Sequence, residues 1–417
     1  MRPHIAVRHT RRRPIRLLGV LAALAALSGQ AWPAGAAEPP RGQAPITWSP
    51  DLSVIDTDDV DVRYGSGQLR VADRPSGPAS VRTRAAAQGS LVLAEKRLDR
   101  SVDRVRARLD AEVPRGAEVA LDIRGRSAGR GWSEWHTAPA GGSAVRLPYA
   151  VDTVQVRLTL RGAETAVRKV QLTADTAPER SRGTAASPVK YRLFATREGL
   201  VGGTTANGHV IQPNDHFVAL PSRRGLSPRG TWDYSVQVCG PARCETAPVW
   251  DVGPWNTKDD YWNPSGEREM WRDLPQGTPE AQAAYQSGYN GGLDEFGRRV
   301  ANPAGIDLAD GTFYNVGLND NGWVDVTFLW TGDQTGSTFP TWGTDVAVRQ
   351  ASTTSSAVVA RLPGPTQVRV GCQERGGSVT YEGHTNDAWS YLPDYDGYVS
   401  NIFIDVAEAW LPGVPEC

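Results

Sequence analysis

Apolar and polar positions alternate with period two along most of the chain beyond residue 45, in short runs separated by turns. Leu91-Val-Leu93, Val105-x-Ala107-x-Leu109, Val119-x-Leu121-x-Ile123 and Val154-x-Val156-x-Leu158-x-Leu160 each put their apolar side chains on one face of a strand. Recurring between Ile46 and Val170, these runs predict a β-sandwich over 38–170 with one solvated face per sheet. Trp132-Ser-Glu-Trp135 falls between two of the runs, and the expectation is one core ring and one surface ring. Residues 171–189 lose the alternation and collect Pro, Ser, Thr and Ala, the composition of a linker.

A second all-β region spans 190–330. Tyr191-Arg-Leu-Phe-Ala195 opens it, Val236-x-Val238 and Val249-Trp250 flank a pair of cysteines, and Val324-x-Val326-x-Phe328-x-Trp330 closes it. Within it, 256–305 is a long polar and aromatic insertion. There Thr278-Pro279-Glu280 offers an N-cap, a proline at the first helical position and an acid in the first turn, predicting a helix through about Ser287. From 341 to 417, short strands at a spacing of about 8–12 residues, joined by Gly and Pro turns, predict a small barrel.

The one long apolar run, Leu17 to Leu27, follows Arg8, Arg11, Arg12, Arg13 and Arg16 and precedes Ala34-Gly-Ala36. This is the pattern of a signal peptide over 1–37, so the expectation is an exported protein. Cleavage there removes six arginines and no acid, so 45 basic residues fall to 39 against 46 acidic ones, a net charge of −7. An acidic mature chain argues against nucleic acid or an anionic membrane as partner. Export also favours disulfides. Cys239-Gly-Pro-Ala-Arg-Cys244 reads as a closed hairpin tip, leaving Cys372 to pair with Cys417. Four cysteines allow three pairings, and this one is preferred. Closing the longer loop is worth about 4 kcal/mol in the chain-entropy model. Metal-ligand spacing is missing, and neither a metal nor a cofactor is expected.

Three segments of the middle region carry a resemblance: Gly203-Thr-Thr-Ala-Asn-Gly208, Val249-Trp-Asp-Val-Gly-Pro-Trp255 and Gly305-Ile-Asp-Leu308. In this order they resemble the double-psi β-barrel of the RlpA-like lytic transglycosylases and, more distantly, of expansins and family-45 endoglucanases. The resemblance implies a groove in which Asp251 protonates a glycosidic oxygen, with His216 as helper and Asp307 as a second carboxylate. The residues agree in part: a carboxyl beside Trp250 and Trp255, where a strand breaks at Gly253-Pro254, is desolvated and so raised in pKa, as a general acid requires. Two departures stand out. Val252 replaces the usual arginine of the D-R-G-P motif, and the gap to Gly305 is long.

Asn207, Trp250, Trp255 and Trp262, with Trp389 near the C-terminus, are the candidate saccharide-binding residues, since indole faces stack on sugar rings. The region around Val346-Ala-Val-Arg349 and Gly397-Tyr-Val-Ser400 resembles bacterial SH3-like domains, which implies wall or peptide binding. The whole then reads as an all-β, exported, monomeric wall protein with peptidoglycan or another wall polysaccharide as partner. The competing reading is a non-catalytic, expansin-like binder.

Overall fold

The computed structural model describes residues 44–72, 87–127, 130–139, 141–176, 188–332, 336–362 and 364–417. The predicted signal peptide, 1–37, and positions 177–187 of the predicted linker lie outside them. Among the described residues no helix is long and apolar enough to cross a membrane.

Nine strands form one hydrogen-bonded sheet: β1 (Ile46–Trp48), β2 (Val62–Gly65), β3 (Gln68–Val71), β4 (Gln88–Val92), β5 (Lys96–Glu112), β6 (Glu118–Arg126), β7 (His136–Thr137), β8 (Val145–Arg161) and β9 (Ala166–Asp175). The long β5 and β8 hold it together, because each pairs with different neighbours at its two ends. The first half of β8, through Val154, runs along β5, while Arg157 to Arg161 lie between β4 and β6; the far half of β5 pairs with β9. Alternation on β8 places Val154, Val156, Leu158 and Leu160 in one core with Leu91, Leu121, Ile123, Val105 and Val170.

Two expectations are corrected here. Strand β9 runs five residues into the predicted linker, and Leu172 and Ala174 are fully buried. The Val170-x-Leu172-x-Ala174 alternation continues, and Pro and Ser enrichment sets in only after it. The supposed solvated face of β6 and β8 is also covered: Asp122, Arg124, Gln155, Arg157 and Thr159 are all buried. Polar alternation shows which face needs hydrogen bonds, whether from water or from another part of the chain. Here the rest of the chain supplies them.

The second region is a closed six-stranded barrel of β10 (Lys190–Arg197), β11 (Val218–Leu220), β12 (Ser235–Cys239), β13 (Cys244–Val252), β14 (Ala304–Leu308) and β15 (Gly322–Phe328). Strand order is β11-β14-β10-β15-β12-β13, and β13 returns to β11 to close the ring. The β10–β14 and β11–β13 pairs are parallel and the others antiparallel. Leu193, Val218, Val236, Val249, Ile306 and Val326 fill the interior.

The insertion carries the predicted helix, Glu280–Ser287, ended by Gly288 in the left-handed conformation. Its start differs in one detail. Pro279 occupies the cap position without a side-chain cap, and the carboxylate of distant Asp259 accepts the Glu280 N–H at 2.7 Å.

The last seven strands are β16 (Ser337–Pro340), β17 (Val346–Arg349), β18 (Val358–Leu362), β19 (Gln367–Val370), β20 (Cys372–Tyr381), β21 (His384–Leu392) and β22 (Gly397–Ser400), around Val348, Leu362, Val370, Leu392 and Val399. This region starts four residues before the expected boundary, because β16 pairs with β19. Both predicted disulfides are present, Cys239–Cys244 and Cys372–Cys417.

Candidate functional site

Parallel and antiparallel pairings together build one row of residues across the barrel. Thr196 on β10 faces Asp307 on β14, Asp307 faces Ala219 on β11, and Ala219 faces Asp251 on β13. Two strand spacings therefore separate the two aspartates, about 9.6 Å between their Cα atoms. The turn after β13 leans over this row. It contains the cis Gly253–Pro254 bond, and a Cβ added to Gly253 would stand 3.6 Å from Asp307 Oδ2.

Asp251 stands one residue before the end of β13, after the fully buried Val249 and the partly exposed Trp250. Its Oδ1 accepts the backbone N–H of Ala206 and of Val252, both at 2.7 Å. So this carboxylate ties the Gly203–Gly208 turn to the strand end. Burial raises its pKa, and a hydrogen bond from Glu198 opposes that rise most strongly.

Glu198 is the residue that the sequence reading missed. It follows β10 directly, its N–H bonds to Leu308 O at 2.9 Å, and both its carboxyl oxygens are buried without a backbone or amide donor. Desolvation first, then the charge and hydrogen bond of Asp251, push its pKa up to about 10. Glu198 is therefore a protonated acid beside the Asp251 carboxyl group. Asp307, hydrogen-bonded by the Thr196 hydroxyl, is pushed up to about 7 by desolvation and, less, by Asp251. Three carboxyl groups thus share one strand-end cluster, each raised by burial, with Glu198 protonated at neutrality. No motif flags Glu198; only the parallel β10–β14 pairing brings it to Asp251.

His216 is placed elsewhere. Its Nδ1 contacts the fully buried Glu245 at 2.7 Å, and that carboxylate also accepts Thr312 Oγ1 at 3.0 Å and Asn315 Nδ2 at 2.6 Å. Glu245 lies six residues before Asp251 on β13, about 20 Å of extended strand. The helper role expected for His216 therefore has no geometric support; the imidazole fixes the helix Asp310–Asn315 to the barrel.

Asn207 is 4% exposed and bonded within the turn, accepting from Thr205 Oγ1 and donating to Ser227 O. Trp262 is buried and stacked on Phe328 at 5.2 Å, and Trp389 is buried with Nε1 donating to Gly377 O. These three are corrected from substrate contacts to packing residues, since no ring or amide face of theirs is open.

Trp250 and Trp255 stay half-exposed. Trp250 packs against His209 at 4.8 Å, and Trp255 donates Nε1 to Asn302 on the insertion at 3.0 Å. Beyond Glu198, Leu200 and Val201 are 61% and 50% exposed and form an apolar rim. Two of the insertion's acids are internal: Asp259 pairs with Arg268, and Asp260 with Arg224 at 2.7 Å.

Residues 189–327 match a family described as a domain of unknown function (DUF8814). These limits fall within two residues of the barrel's first and last strands, β10 and β15. No curated protein and no solved structure matches the chain.

Proposed function

We propose that this is an exported wall protein whose barrel, of double-psi type, cleaves peptidoglycan glycan strands, with the C-terminal β region acting as an SH3-like wall-binding domain. The observation that carries the reading is the Glu198–Asp251 carboxyl pair beside Asp307, a proton store at one strand end of the barrel. Two parallel strand pairs in a closed six-stranded ring support the double-psi assignment. The disulfides are compatible with export.

In this reading the proton shared by Glu198 and Asp251 goes to the glycosidic oxygen as the C–O bond breaks. The sugar's own 6-hydroxyl then attacks the anomeric carbon in a transglycosylase, returning its proton to the carboxylate left by the first step, or water attacks with Asp307 taking its proton in a hydrolase. Glu198 takes the supporting place first expected for His216. Leu200, Val201 and Trp255 border the sugar path.

The test is incubation of the protein, wild type and Asp251→Asn, with intact and peptide-stripped peptidoglycan, followed by pelleting and mass spectrometry of the soluble fraction. Anhydro-ended fragments from wild type alone establish a transglycosylase; reducing ends establish hydrolysis. Co-pelleting without released fragments would replace cleavage by the expansin-like binding reading.

A further inference from the structure

A cleft of about 560 Å³, counted with its open mouth, separates the outer face of β6 and β8 from residues 223–224 and 257–269. Its lining is unusually basic for an acidic chain: Arg157, Arg161, Arg223, Arg224 and Lys258 against Glu118, Asp122 and Glu269. Four of these cations have protein partners. Arg157 pairs with Asp122 at 2.9 Å, Arg161 with Glu118 at 3.0 Å, Arg224 with Asp260 at 2.7 Å and Lys258 with Glu118 at 3.7 Å.

Arg223 differs. Among the described residues no carboxylate pairs with it, and its Nε is buried without an acceptor. Its backbone is nevertheless fixed. Ser222 caps the 3-10 turn Arg223–Gly225 by accepting the Arg224 N–H at 3.2 Å, and the Arg223 carbonyl accepts Arg157 Nη2 at 2.9 Å. Desolvation, followed by the like charges of Arg161 and Arg157, holds the guanidinium down to about 10. Asp122 and Asp251 offset part of this through space, yet a buried cation without a paired carboxylate still costs folding free energy, and the fold holds it in place facing a cleft.

We propose that this cleft binds an oxyanion group, carboxylate or phosphate, on the fork of Arg223. Its planar donors match two oxygens of such a group, and no protein carboxylate competes for them. Asp251 of the carboxyl cluster acts on Arg223 through space, as Asp122 does, but neither forms an ion pair with its fork, and anion binding here does not depend on the glycan reading.

The test is thermal unfolding of the whole protein at constant ionic strength, with inorganic phosphate or acetate replacing chloride, for wild type, Arg223→Gln and Arg223→Lys. Wild type should gain about 2 °C at tenfold excess over Kd. Arg223→Gln should lose that gain, and without either anion should unfold no lower than wild type because a buried unpaired charge is gone. Arg223→Lys, keeping charge without the fork, should bind about tenfold more weakly. A gain from phosphate alone assigns a phosphate group, and one from acetate alone a carboxylate. An equal gain in all three proteins, no gain in wild type, or an anion-free Arg223→Gln well below wild type would each overturn the proposal.

Discussion

Glu198 keeps a proton that the unfolded chain releases, and this makes stability depend on pH in a definite direction. Its ordinary pKa is 4.5, and in the fold it is pushed up to about 10. Between those values the native state binds more protons than the unfolded state, so stability is fullest below 4.5 and falls as pH rises towards 10. Glu198→Gln keeps the shape and removes the titration. The variant should match wild type near pH 4 and exceed it increasingly from pH 5 to pH 8, read as Tm against pH. Parallel curves would show that Glu198 titrates normally. Asp251 and Asp307 were legible in the sequence because each sits in a short motif at a strand end. Glu198 was not, because its neighbours come from strands 53 and 109 residues downstream in the sequence. His216 shows the opposite failure: it was singled out in the sequence, but which carboxylate its ring meets, Glu245, depends on packing that no local pattern records.

The segment Trp132–Trp135 shows how a short loop between strands can join two layers. Both indoles are buried, against an expectation of one surface ring. Trp135 donates Nε1 to Leu226 O at 3.0 Å, and Arg124 lies over the Trp132 ring at 4.2 Å. Between them, Glu134 enters the barrel region and accepts the indole N–H of Trp262 at 2.6 Å, that of Trp330 at 2.7 Å and the Asn263 amide at 2.7 Å. Removing this acceptor leaves buried donors unsatisfied at about 1–3 kcal/mol each. Glu134→Ala should therefore destabilise by about 2–4 kcal/mol, because partial solvation of the vacated space recovers some of the loss. Glu134→Gln, which retains one carbonyl acceptor, should cost less. Denaturant midpoints at unchanged m-value decide it, and a change below about 0.5 kcal/mol for Glu134→Ala would mean that the loop is only surface decoration. The strands and the helix Glu280–Ser287 were legible because their periodicity and turn residues are local. Docking of polar faces was not, since Asp122, Arg157 and Gln155 look the same in sequence whether they meet water or protein.

At the scale of the molecule these contacts turn three predicted regions into one compact unit over 44–417. The barrel's own core group contains Trp132 and Trp135 from the sandwich, and Tyr234 donates its hydroxyl to Ser133 O. The barrel also meets the last region through the Glu245–Arg361 strand pairing and the Arg243–Asp345 ion pair. A barrel deprived of the sandwich would expose Trp262, Trp330 and Tyr234, leave two indole N–H groups without their acceptor and open the cleft around Arg223. Residues 188–417 produced alone should then lack a cooperative thermal transition, although they contain the whole carboxyl cluster. The 44–417 chain should unfold in a single calorimetric step whose van't Hoff and calorimetric enthalpies agree. If 188–417 instead melts cooperatively within a few degrees of the longer chain, the sandwich is an independent appendage. Its buried polar face would then be a removable contact, and loss of activity on its deletion could no longer be attributed to unfolding of the barrel.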